Sequence, residues 1–249
     1  MTQFEKVIKY LSIGLAIFLA VSIVIGGISV LAAIFGLGED NILVDFYDIE
    51  LSQDTERIEI DVSAASLKIV AGDRFALSTN IENLEVRSNS RLYVKQKQRR
   101  VGFHNTSAGE IILTVPANAE LRSFELEAGA GSVEIEYLNT QKAELNMGAG
   151  ALNIKGGVIG GLELDLGVGK TDITAALNGK TAINCGVGET NINIIGQKGD
   201  YTIDVDSGIG AITLEGMRIK NDTVIGDGKN ELEIDGGVGN INIEFTSEQ

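Results

Sequence analysis

Carboxylate and amide side chains recur along this chain at a fixed interval. Glu127, Asn146, Asp165 and Asn184 stand 19 residues apart, and Asp206 and Asp235 continue the series. A second series runs through Glu134, Asn153, Asp172 and Asn191 to Thr213 and Asn242. Rows of carboxylate and amide oxygens suit a hard cation such as Ca²⁺, or the hydroxyls of a glycan. Paired carboxylates are also the equipment of glycoside cleavage. The plainer reading is a solvated face carrying an Asn ladder. Carboxylates stacked ~4.8 Å apart repel, and an intervening Asn relieves the repulsion while its amide hydrogen-bonds along the stack. Periodic columns generate Asp and Glu pairs by construction, so they do not argue for an enzyme.

Other chemistry is scarce. One Cys and one His exclude zinc fingers, iron–sulfur clusters and disulfide frameworks, which need several ligands or thiols. Any nucleophilic triad would have to use His104, whose plain reading is an exposed or hydrogen-bonded side chain. Cys185 shares an inward column with Ala128, Met147 and Leu166, where a thiol packs as a small apolar group. Gly167–Thr171 (GVGKT) mimics a phosphate loop, but Leu164 occupies the place of its first glycine, and no helix follows to supply a dipole. Gly236–Ile243 (GGVGNINI) lacks the Asp and the nine-residue period of a calcium-binding nonapeptide. No catalytic residue, metal or cofactor is expected. A net charge of −15 argues against nucleic acid, whose phosphates demand clustered Lys and Arg.

These side chains must be positioned by a repeat. Leu126–Ile135 (LEAGAGSVEI), Leu145–Ile154 (LNMGAGALNI), Leu164–Ile173 (LDLGVGKTDI) and Ile183–Ile192 (INCGVGETNI) are copies of one unit. Their glycine pairs are Gly129/Gly131, Gly148/Gly150, Gly167/Gly169 and Gly186/Gly188, and the pattern continues at Gly208/Gly210 and Gly237/Gly239. Weaker copies lie upstream around Ser63, Ser88 and Ser107. Within each copy the apolar positions alternate, then slip by one residue at the glycines. Such a slip turns the chain while keeping the same face inward, and a residue without Cβ suits the corner. The spacing predicts an all-β chain, a β-solenoid or single-stranded β-helix of about nine coils with repeats of ~19–22 residues, hence a rod of roughly 40 Å. Leu126, Leu145, Leu164, Ile183, Val205 and Ile234 are expected in one inward column, and Ile135, Ile154, Ile173, Ile192, Leu214 and Ile243 in another.

Ahead of the repeat, no residue from Tyr10 to Gly38 is charged. A helix of that length exceeds the ~30 Å hydrocarbon core, so a single-pass transmembrane helix over 10–38 is expected. Its rival, a cleaved signal peptide, normally has an apolar core of only ~7–15 residues. Lys6 and Lys9 precede the span and Glu39 and Asp40 follow it, which places tail 1–9 in the cytoplasm and the rest outside. The acidity belongs to that outer part: 18 basic and 34 acidic residues follow position 38, after Glu5, Lys6 and Lys9. Residues 39–56 read as a juxtamembrane stalk or an edge strand capping the first coil, and 57–249 as the extracellular solenoid.

Ile112–Glu120 (ILTVPANAE), Leu121–Leu126 (LRSFEL) and the succession of GAG, GVG and GIG corners resemble the bacterial "putative adhesin" family of domains of unknown function. These are β-solenoid domains often carried on single-pass membrane proteins of Gram-positive bacteria, the Lia-type cell-envelope stress proteins among them. The resemblance implies a cell-membrane protein that acts by binding, in adhesion or in an envelope stress response, and it brings no catalytic residues. Expected partners are the membrane itself and a cell-wall glycan, host glycan or envelope protein. Two alternatives stay open: a self-associating structural scaffold, since solenoid ends present strand edges, and a carbohydrate-active β-helix enzyme.

Overall fold

The computed structural model of the chain describes residues 43–97, 109–206, 208–220 and 223–247. The tail 1–9, the apolar segment 10–38 and His104 lie outside the described residues. Among the described residues no helix is long and apolar enough to cross a membrane.

Among the described residues, apart from a short 3₁₀ turn at Lys198–Asp200, the regular structure is strand. In chain order the strands are β1 (Leu43–Glu50), β2 (Arg57–Gly72), β3 (Ala76–Ile81), β4 (Leu84–Ser88), β5 (Arg91–Gln96), β6 (Gly109–Pro116), β7 (Ser123–Ile135) and β8 (Leu138–Thr140). They continue as β9 (Ala143–Ile154), β10 (Gly157–Ile195), β11 (Tyr201–Asp206), β12 (Ile209–Leu214), β13 (Met217–Arg218), β14 (Thr223–Ile225), β15 (Asn230–Asp235) and β16 (Val238–Thr246). The alternation of buried and half-exposed residues breaks at each glycine pair, where the chain turns the corner.

Parallel pairing stacks these strands as solenoid tiers. β7 lies on β9 with Leu126 opposite Leu145 and Glu127 opposite Asn146, and β9 lies on the first turn of β10 with Leu145 opposite Leu164. The 19-residue interval is therefore the tier height in sequence. β8 and the start of β10 form a short third side, with Leu138 opposite Gly157.

The ends are threaded out of sequence order. β2 sits between β7 and the tier made by β5 and β6, so the first strand of the solenoid is not its first tier. At the other end β15 and β16 stack directly on the second turn of β10, with Ile183 opposite Ile234 and Val187 opposite Val238. β11 and β12 stack beyond them, with Val205 opposite Ile234. In space the tiers run β5/β6, β2, β7, β9, the two turns of β10, β15/β16 and β11/β12, which is eight tiers among the described residues where the repeat predicted about nine. The difference has a local cause. The weak copy at Ser88 is a hairpin of β4 and β5, and β5 joins β6 to make one tier rather than two.

Both terminal tiers carry antiparallel caps. β4 pairs with β5 and β3 with β6, with β1 outside β3. At the far end β14 pairs with β11 and β13 with β12.

The core is the pair of expected inward columns. Leu126, Leu145, Leu164, Ile183, Ile234 and Val205 are each at most 1% exposed, and Ile135, Ile154, Ile173, Ile192, Ile243 and Leu214 at most 2%. Each such side chain contributes roughly 1.5–3 kcal/mol by leaving water. At the corners, a Cβ on any of the twelve paired glycines would lie within 2.6 Å of a backbone oxygen of the adjacent tier. At Gly150 the gap would be 1.8 Å to the Gly131 carbonyl, and its φ of +134° is one that L side chains rarely adopt. The corner thus demands glycine for both close approach and backbone conformation.

Candidate functional site

Stacked in register, the first polar series becomes one continuous ladder. In spatial order it runs Lys95, Asp61, Glu127, Asn146, Asp165, Asn184, Asp235 and Asp206. The Asn184 amide donates to Asp165 Oδ1 at 2.5 Å, and the Lys95 ammonium pairs with Asp61 Oδ2 at 2.5 Å. The hydrogen bond and charge of Asp61 hold the Lys95 pKa above the usual lysine value. The ladder therefore begins with a compensated carboxylate, alternates acid and amide from Glu127 to Asp235, and ends on two adjacent carboxylates, Asp235 and Asp206.

A groove of about 630 Å³ follows this ladder across five tiers. Each tier offers the same three positions: a ladder residue, the inner residue after it, and the corner residue. They are Asp61, Val62 and Ser63; Glu127, Ala128 and Gly129; Asn146, Met147 and Gly148; Asp165, Leu166 and Gly167; and Asn184, Cys185 and Gly186. Of the six ladder residues expected from sequence, the groove gathers Glu127, Asn146, Asp165 and Asn184. Asp235 and Asp206 extend the same column past its end, both exposed. Sequence reasoning missed Asp61, although the signal was there: Asp61 precedes Ser63 by two residues, as Glu127 precedes Gly129.

The second series forms a hydrogen-bonded chain. The Thr213 hydroxyl donates to Asn242 Oδ1 at 2.7 Å, the Asn242 amide to Asn191 Oδ1 at 2.8 Å, and the Asn191 amide to Asp172 Oδ1 at 2.8 Å. Glu134 pairs with Lys155, whose hydrogen bond and charge hold its carboxyl below the usual carboxylate range.

Cys185, at one end of the groove, is half-buried, and its thiol donates to Thr190 Oγ1 at 3.6 Å. Burial pushes its pKa up, the reverse of what activates a nucleophile. In the GVGKT stretch Lys170 pairs with Asp172 at 3.2 Å and Thr171 is buried, so it is a corner of the solenoid. Among the described residues no group of three His, Cys, Asp or Glu is arranged to hold a metal.

Beside the groove runs an apolar ridge that sequence reasoning also missed. The residue between the corner glycines points outward, and Val168, Val187, Val238 and Ile209 are 51%, 47%, 46% and 67% exposed in consecutive tiers. Its signal was the change from GAG to GVG and GIG along the chain.

The Toastrack DUF4097 family model matches residues 103–244, more than half of the chain. The chain belongs to this family. The Toastrack fold is also that of a "putative cell adhesion protein" of known structure from Clostridium sporogenes, 19% identical, with a TM-score of 0.51 over 81% of this chain and 99% of that one. A "putative adhesin" from Bacteroides fragilis is 12% identical, with a TM-score of 0.33 over 80% of this chain and 95% of that one. A "putative lipid binding protein" from Parabacteroides distasonis is 16% identical, with a TM-score of 0.30 over 80% and 96%. No curated protein matches the sequence. At 19% identity the Clostridium structure speaks to the fold alone.

Proposed function

We propose that this Toastrack protein is a single-pass membrane protein whose solenoid lies outside the cell and acts by binding, in adhesion or in the response to envelope damage. The observation that carries the reading is the groove: five tiers present acid or amide side chains in register along one open channel. Its volume falls within the ~300–1,000 Å³ of ligand sites, and its repeat favours an extended polymer whose hydroxyls or cations meet one tier after another. The uncharged segment 10–38 and the charge asymmetry around it support anchorage. Binding is preferred over catalysis because two of the three groove carboxylates are tied to neighbours, Asp165 to Asn184 and Asp61 to Lys95.

The test has two parts. Protease added to intact cells should digest residues 39–249, and protection until lysis would overturn the exterior location. Wall polymers, host glycans and envelope-active peptides should then be screened against the wild type and against Glu127→Gln with Asp165→Asn. A ligand that loses at least tenfold in affinity assigns the groove, and equal affinity for both proteins removes it from the function.

A further inference from the structure

Among the described residues β1 is the outermost strand at its end of the sheet, paired to β3 on one edge and to no strand on the other. Its two halves differ. Toward its end, Ile49 packs against the core and Leu51, just beyond it, is buried, while Gln53 ties this end to β3 by bonds with the Phe75 backbone at 2.9 and 3.0 Å. Toward its start, Val44, Phe46 and Tyr47 are 39%, 48% and 36% exposed. The Tyr47 hydroxyl donates to the Ile81 carbonyl at 2.7 Å, which fixes the ring while leaving its apolar body open. The apolar exposure therefore lies at the end of the strand closest in sequence to the uncharged segment.

Four residues separate Gly38, the last residue of that segment, from Leu43. Fully extended, the five steps from Gly38 to Leu43 span at most about 17 Å. If the segment crosses the bilayer, as the proposed function holds and on which this inference rests, β1 is kept within that distance of the membrane surface. A tethered strand need not supply the entropy of free association, so a small apolar area suffices. We propose that the first half of β1 docks in the lipid interface through Phe46 and Val44, with Tyr47 beside them, and so sets the solenoid upright with its β13/β14 cap farthest from the membrane.

Two features limit the depth. The unpaired edge of β1 carries backbone groups that need water or headgroup partners, which excludes the hydrocarbon core. Asp45, Asp48 and Glu50 on the same strand disfavour anionic lipid. The contact is shallow, of the kind aromatic side chains make at the membrane–water boundary, and strongest on zwitterionic lipid.

The chain contains no tryptophan, so Phe46→Trp and Val44→Trp install unique reporters in the full-length protein. Val224→Trp, 62% exposed at the wild-type side chain on the opposite cap, is the control. Each variant is reconstituted into phosphatidylcholine vesicles, with and without lipids brominated near the glycerol end of the acyl chain. Blue-shifted emission and quenching at positions 46 and 44, with neither at 224, is the expected result, and added phosphatidylglycerol should weaken it. Protein that floats with the vesicles while both reporters emit as in water overturns the docking and leaves the anchorage intact. Equal quenching at 46 and 224 overturns the upright orientation. Protein that does not float overturns the anchorage, and the docking with it.

Discussion

Replacing Gly150 by Ala tests the stacked corner most directly. The added Cβ would lie 1.8 Å from the Gly131 oxygen and 2.8 Å from the Gly131 carbonyl carbon. Ordinary contact begins near 3.4 Å, so β9 must move away from β7 by more than an ångström at that corner. The movement lengthens the flanking ladder hydrogen bonds, each worth about 0.5–1.5 kcal/mol net. Holding an L residue at φ +134° costs a further ~1–3 kcal/mol. Together these give about 4 kcal/mol, and for a domain of this size a Tm lower by roughly 8–16 °C. Gly199→Ala is the matched control: nothing lies within 4 Å of its Cβ position, so that change should be neutral or slightly stabilising, by up to about 1 kcal/mol. Thermal unfolding of the two variants followed by β-sheet circular dichroism makes the comparison. A Gly150→Ala protein that melts with Gly199→Ala would refute the argument that tier contact at the corner, rather than general turn flexibility, demands glycine.

Three further outcomes are expected. The Thr181 hydroxyl is buried without a hydrogen-bond partner, in register with Leu232, so Thr181→Val should raise stability by about 1 kcal/mol in a denaturant titration. The out-of-order tiers predict that, in a Cys185→Ser background, Val187→Cys with Val238→Cys oxidises readily, because adjacent parallel strands hold Cα atoms at ~4.8 Å, within disulfide range. Val187→Cys with Ile209→Cys, two tiers apart, should stay reduced, and the reverse pattern would restore sequential stacking. Burial raises the Cys185 thiol, so the folded state favours its protonated form. That contribution to stability is intact below the unfolded thiol pKa and lost as pH rises through the folded value. Native protein at pH 8 should accordingly react with a thiol reagent far more slowly than unfolded protein.

What could be read in the sequence depended on whether a residue's position was set by its own tier or by the order of tiers. The inward columns through Leu126 and Ile135, the corner glycines and the Asp–Asn alternation are properties of a single copy, so a period of 19 was enough to find them. The order of the last two tiers was not legible. Ile203–Leu214 (IDVDSGIGAITL) and Leu232–Ile243 (LEIDGGVGNINI) are chemically interchangeable on the second turn of β10, and exchanging them leaves every column with the same composition. At the other end the hairpin of β4 and β5 mimicked a copy because Leu92 and Val94 alternate just as a tier strand does. The groove was half legible. Its ladder follows from periodicity, but its depth depends on how far Val62, Ala128, Met147, Leu166 and Cys185 sit below the rim, a packing outcome that alternation does not encode.

The exchanged order has a physical rationale. A chain that laid its tiers strictly in sequence would finish with a bare outer edge and a frayed last strand, the weakest and most aggregation-prone place in a solenoid. Here the chain passes one position, builds β11 and β12, and folds β13 and β14 back as a cap. It then returns to seat β15 and β16 between two finished tiers. The final strand is thus paired on both sides, and Thr213, which has one hydrogen to donate, stands at the end of the Asn chain instead of interrupting it. The same device operates at the start, where β2 is enclosed by the later β5, β6 and β7. β1 has an open edge in common with β4, β13 and β14, each paired to one strand only among the described residues. What sets β1 apart is its place in the chain: its apolar first half begins five residues after the uncharged segment, and that proximity points it to the bilayer.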